Sequence, residues 1–313
     1  MIPTVRRIVV RYSTFLILAA LMLLFSLVSS RFLQVNNLLN IVDQSALLAI
    51  VAIGVTYTII SGGIDLSVGS VVALVGAVSA GLIVRAGLPV PVGILLGLVF
   101  GALLGLVNGL FVVYGRLQPF VATLAMMAIA RGLTLLYTQG RPISGMGEAY
   151  TFFGSRLGPI PVSILVLLVV VLVSGTVLRR TPFGAYVYAV GGNEETTRLA
   201  GVAVSRVKLG AYAFSGLMAA VGGIILTARL WSAQPQAATG LELQAIAATV
   251  LGGASLMGGA GTILGTVAGA LIMGVLANGL NLAGVSSYLQ QVITGGIFIL
   301  AVLLDMWTKR QKV

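Results

Sequence analysis

The chain of 313 residues has no cysteine and no histidine. Without cysteine there are no disulfides and no thiolate ligands, and the redox compartment leaves no trace. Without histidine, imidazole metal sites, Ser-His and Cys-His nucleophiles and the usual switch near neutral pH are excluded. Charge is scarce too. Asp, Glu, Lys and Arg make up 8% of residues, against about 25% in soluble domains. Only seven residues are acidic, and they are scattered, so no carboxylate cluster offers a metal site or an acid–base pair. The three lysines, Lys208, Lys309 and Lys312, do not follow a glycine-rich turn. No Gly-x-x-x-x-Gly-Lys-Ser/Thr cradle for ATP phosphates exists, so we expect neither an enzyme nor a bound cofactor.

What remains is apolar. Hydrophobic residues make up 58% of the chain and the mean hydropathy is +1.11, so a lipid bilayer is the expected solvent. The net charge of +11 does not mark a nucleic-acid surface, because the basic residues are spread between apolar runs rather than gathered on a patch. A spanning helix needs about 20 apolar residues at 1.5 Å each to cross a core about 30 Å thick. Ten runs qualify, near 14–30, 45–61, 66–84, 92–113, 119–138, 162–178, 209–228, 243–257, 262–282 and 288–305. The second and eighth are short and run into glycine pairs, Gly62-Gly63 and Gly252-Gly253. The expected fold is therefore one all-α integral membrane domain over 1–313, with interrupted helices near Gly62 and Gly252.

Ten crossings place both termini on one side, and basic residues choose it. With cytoplasmic termini, that side holds twelve: Arg6, Arg7, Arg11, Arg116, Arg179, Arg180, Arg198, Arg206, Lys208, Lys309, Arg310 and Lys312. The other side holds five, Arg31, Arg85, Arg141, Arg156 and Arg229. This makes 179–208 a cytoplasmic loop and 139–161 an outer loop. No small-x-small cleavage site follows the first apolar run, which reads as a retained helix.

Glycine placement predicts helix packing. Gly93, Gly97, Gly101, Gly105 and Gly109 recur every four residues in the fourth span, and Gly261, Gly265 and Gly269 do so in the ninth. Such rows form grooves that admit a neighbouring backbone. Both spans read Asn-Gly-Leu near their ends, at Asn108 and Asn278, and each lies downstream of a glycine pair. The halves read as distant repeats, a plan common in transporters.

Within 179–208, Asn193 is a good N-cap, Glu194 and Glu195 suit the positive end of a helix dipole, and Gly201 is a stop. Glu194 and Arg198 are spaced to pair on a helix face. The result is a polar helix of about two turns, either a locally folded loop or a knob that docks into a partner. Asp65, in Ser61-Gly62-Gly63-Ile64-Asp65-Leu66-Ser67, is a costly charge near bilayer depth or a cap for the third helix. Glu242 is expected at the outer interface. Arg131 lies mid-span and needs a carbonyl cluster or a carboxylate. Asn108, Asn278 and Asn281 either line a polar route or bridge packed helices.

These runs resemble the permease subunits of ATP-binding-cassette sugar importers of the ribose, xylose and galactose type. The likeness is carried by Gly62–Ser70, Ala122-Thr123-Leu124 with Arg131-Gly132, and Tyr188–Glu194. It continues in Ala228-Arg229-Leu230 with Ser232–Pro235, Gly240–Leu243, Asn278–Leu282 and Gly284–Tyr288. One departure is Gln244, where that family usually has Asp. The resemblance implies transport of a monosaccharide such as ribose through the inner membrane of a bacterial cell, with Asn193–Gly201 as the coupling element. It also implies partners: a second permease copy or paralogue, a cytoplasmic double-cassette ATPase that holds the ATP and magnesium, and a periplasmic or lipid-tethered sugar-binding protein. The same architecture also serves nucleosides, branched-chain amino acids and other small polar solutes.

Overall fold

The computed structural model describes the backbone of residues 2–310 and the side chains of 14–300, 302 and 303. Of the twelve charges expected on the cytoplasmic side, Arg6, Arg7, Arg11, Lys309, Arg310 and Lys312 lie outside those side chains, as do Met1 and Val313. The helices, in chain order, are α1 Ile2–Val28, α2 Val35–Ile60, α3 Val68–Val84, α4 Val90–Val113, α5 Pro119–Thr138, α6 Glu148–Thr151, α7 Val162–Arg180, α8 Pro182–Gly192, α9 Glu194–Leu199, α10 Val204–Arg229, α11 Leu241–Leu251, α12 Ile263–Leu282 and α13 Ser287–Arg310. Four two-residue strands are β1 Ile143–Ser144, β2 Arg156–Leu157, β3 Ile160–Pro161 and β4 Ser232–Ala233. β1 pairs with β4, and β2 with β3, both antiparallel.

Among the described residues, six helices are long and apolar enough to cross a membrane: α2, α4, α5, α7, α10 and α12. With 26 residues, α2 is not the short span expected. Its first turns carry Asn36, Asn37, Asn40, Asp43 and Gln44, which masked its start, and several of these are paired rather than solvated. Asn37 and Asn278 exchange amide hydrogen bonds at 3.0 Å. Asp43 pairs with Arg229 at 2.5 Å and accepts from the Ser163 hydroxyl, joining α2, α10 and α7. The short span is α11, whose 11 residues reach about 16 Å, half the thickness of a hydrocarbon core.

Both helix ends marked by glycine pairs carry the same cap. Gly62 N–H donates to Ile59 O and Gly63 N–H to Thr58 O; Gly253 N–H donates to Val250 O and Ala254 N–H to Thr249 O. These are Schellman closures, with Gly62 and Gly253 at φ of +82° and +88°. The next helix after the first cap is α3, and after the second it is α12. Each glycine row still lies downstream of its capped helix, directly on α12 and with α3 intervening before α4.

The row on α4 forms the groove expected. A Cβ built on Gly105 would lie 2.1 Å from Tyr212 O, and one on Gly101 would lie 2.5 Å from the Ala220 Cβ and 2.8 Å from Gly216 O. Gly109 meets Leu209, while Gly93 and Gly97 turn toward Ile83 and Ser79 of α3. α10 thus lies in the groove, with its own Gly216 2.2 Å, on the same construction, from Gly101 O. On α12 the row is shorter. Gly265 and Gly269 seat α11 at Gly252 and Ala248, but Gly261 precedes the helix at φ +154°. Thr262 starts the helix instead, its hydroxyl accepting from Gly265 N–H.

Candidate coupling and translocation sites

The polar helix expected between Asn193 and Gly201 is present as α9. Asn193 Oδ1 accepts from Thr196 N–H at 2.8 Å, a cap worth about 1 kcal/mol. Gly201 ends the helix at φ +83°, and Arg198 reaches Glu194 at 2.6 Å. Two features were missed. α8 precedes α9, starting at the Thr181 cap with Pro182 in its first turn, a legible start signal that the double arginine before it obscured. Glu194 is also held by Lys208 at 2.5 Å, so its carboxylate ties α9 to the first turns of α10. Glu195 is exposed and makes no ion pair among the described residues.

The joint between α8 and α9 sits on the capped ends of two other helices. A Cβ on Gly191 would lie 1.7 Å from Ile60 O and 2.6 Å from Gly259 N. Ile60 O in turn accepts from Gly259 N–H at 2.9 Å, and the Tyr188 hydroxyl donates to Gly261 O at 2.7 Å. The end of α2, the loop after α11 and the segment carrying α9 therefore meet backbone to backbone. Only glycine permits this approach.

Deeper in the bundle, Asp65 is buried, and its carboxylate takes up the backbone N–H at the start of α3. Its Oδ1 accepts from Ser67 N–H at 2.9 Å and the Ser67 hydroxyl at 2.6 Å, and its Oδ2 from the Ser215 hydroxyl at 2.8 Å. Asn108 donates to the Ser67 oxygen at 2.8 Å. Asp65, Ser67 and Asn108 thus bind α3, α4 and α10 together, as Asn278 binds α12 to α2. Asn281 is separate from both, exposed near the end of α12.

Arg131 finds the carbonyl cluster its charge requires. It donates to Pro235 O at 2.8 Å and Ala237 O at 3.0 Å, both on the non-helical stretch between β4 and α11. That stretch is not at the rim. Ala233 packs with Ala77 and Ala80 of α3, but a Cβ on Gly69 would lie 2.6 Å from Ala238 O and 2.1 Å from Glu242 Oε2. From Val84 back to Gly69 is about 22 Å along α3 at 1.5 Å per residue. Glu242 therefore lies deep beside the first turn of α3 rather than at an outer interface, and its Oε1 accepts from Gly240 N–H. Left-handed backbone at Ala238 (φ +57°) and Gly240 (φ +81°) turns the chain into α11. For Ala238 this conformation costs about 1–2 kcal/mol.

Residues 37–302 match the family model described as branched-chain amino acid transport system / permease component. The chain belongs to this family. Over 296 residues, 93% of this chain and 91% of the relative, the permease is 48% identical to a ribose import permease protein of Bacillus subtilis. It is 38% identical to a D-allose transport system permease protein of Escherichia coli over 297 residues, covering 94% and 91% of the two chains. A xylose transport system permease protein of the same organism is 34% identical over 356 residues, with coverage of 94% and 91%. No solved structure matches the permease. Its relatives are transport permease components, not enzymes, and its apolar helices make it a multi-pass membrane protein.

Proposed function

We propose that this permease is the transmembrane subunit of an ATP-binding-cassette importer for a monosaccharide such as ribose. The observation that carries the sugar is the 48% identity to a ribose import permease across nearly the full length of both chains. Two copies, or this chain and a paralogue, form the path between them. A separate cytoplasmic ATPase with two cassettes binds ATP and magnesium, and a periplasmic or lipid-tethered binding protein delivers the sugar.

The geometry around α9 supports its role as the coupling element. When the cassettes close, a pull on α9 reaches α10 through Glu194 and Lys208, and reaches α2 and the loop after α11 through Gly191. The helices then rock as rigid bodies between inward-open and outward-open states, and nucleotide affinity for one state supplies the bias. The complete importer in vesicles should show ribose-stimulated ATP hydrolysis and ribose uptake. Stimulation by leucine instead of ribose would overturn the sugar reading.

Orientation in the bacterial inner membrane rests on the twelve-to-five asymmetry of basic residues, with both termini and the 179–208 loop cytoplasmic. The chain has no cysteine, so single cysteines report on a clean background. Ser155→Cys should react with an impermeant thiol reagent added outside cells and Ser205→Cys should not. Equal labelling would reverse or break the topology.

A further inference from the structure

Residues 234–240 run as non-helical backbone along the lower half of α3, between Ala233 beside Ala77 and Ala238 beside Gly69. From Ala77 to Gly69 is about 12 Å along α3, a descent the stretch makes as successive turns, closed by Ala237 N–H to Gln234 O and Leu241 N–H to Ala238 O. Irregular backbone at such depth is tolerated only when buried in protein or lining a water-filled cavity. This stretch is not fully buried: Gln234, Gln236 and Thr239 are exposed, as is Gln244 in the first turn of α11. Hydrocarbon is an unsuitable neighbour for four such side chains.

We infer that residues 234–244 line an aqueous solute path, and that Gln236, Thr239 and Gln244 are its hydrogen-bonding groups for a neutral, polyhydroxylated solute. The Gln236 and Gln244 amides make no side-chain hydrogen bond among the described residues, and each can donate and accept, as a sugar hydroxyl requires. The charges nearby are already engaged. The Arg131 guanidinium is turned to Pro235 O and Ala237 O, and Glu242 accepts from Gly240 N–H. Each of these charges is turned to backbone groups of the stretch itself, so the groups left exposed at 236, 239 and 244 are neutral dipoles, which suits a sugar. Arg131 is a positioning residue here, because it holds the carbonyls that set the course of the stretch.

This inference rests on the importer reading, and its test keeps the two apart. In vesicles holding the complete importer, Gln236→Cys and Gln244→Cys are treated with a small charged methanethiosulfonate reagent. Both should label, ribose should slow the labelling, and ribose uptake should fall at least about tenfold while ATP hydrolysis persists. Thr239→Cys, nearly isosteric, replaces either variant that fails to reach the membrane. Absence of labelling, full uptake after labelling, or a spontaneous disulfide between two copies at these positions overturns the path. Absence of ribose uptake by the unsubstituted importer instead overturns the importer reading, and water access at the cysteines is still read independently.

Discussion

Replacing Gly191 with alanine should abolish sugar uptake while leaving the permease inserted in the membrane. The added methyl would sit 1.7 Å from Ile60 O and 2.6 Å from Gly259 N, both backbone atoms that no rotamer change can move aside. Overpacking costs about 1–3 kcal/mol where side chains can give way, and here they cannot. At about 3 kcal/mol the seated arrangement loses more than a hundredfold in population. The neighbouring control is severe. A Cβ on Gly192 meets nothing within 4 Å, and its φ is ordinary. Gly192→Ala should therefore transport at close to the unsubstituted rate. Uptake and ATP hydrolysis in vesicles read both variants. Equal uptake by the two would show that the seating of Gly191 has no part in coupling.

The second large effect is on assembly. Gly105→Leu places a branched side chain where a Cβ alone would lie 2.1 Å from Tyr212 O and 2.9 Å from Gly216 N. α4 and α10 would have to separate by the width of a side chain, and in lipid no hydrophobic gain compensates for lost close packing. Because α10 also carries Ser215, the partner of Asp65, the separation would strip a hydrogen bond from a buried carboxylate. We expect little folded protein in detergent extracts, by size-exclusion profile and yield. Gly175→Leu on α7, where a Cβ meets nothing within 4 Å, should behave as the unsubstituted chain. A monodisperse Gly105→Leu protein at normal yield would refute the groove.

The features legible in the sequence are those set by neighbours along the chain. α9 could be read from Asn193, Glu194, Arg198 and Gly201 because a cap, a dipole charge and an i,i+4 pair are all local. The row of glycines on α4 was legible because it repeats with the helix period, although the row alone could not say that α10 fills it. Arg131 announced the need for carbonyls, yet their owners, Pro235 and Ala237, are about a hundred residues away and were not named. What escaped was set by distant partners. Asp43 reads as a loop charge until Arg229, 186 residues on, neutralises it within α2. Lys208 counts as one more basic residue until it closes on Glu194. The apolar run after Glu242 puts it at a helix start near an interface, but its depth is set by the descent of residues 234–240 along α3. Gly261 matched a spacing without belonging to the helix, because Thr262 supplies the cap.

Linkages made of long side chains are compliant, since each rotatable bond can absorb part of an applied displacement. At Gly191 there is almost nothing to rotate, for along the proposed coupling route a load would pass from peptide to peptide between α8, the end of α2 and the loop after α11. Such a joint resists slipping. The number of ATP molecules hydrolysed per sugar should hold nearly constant as the sugar gradient steepens, until transport stalls outright rather than idling.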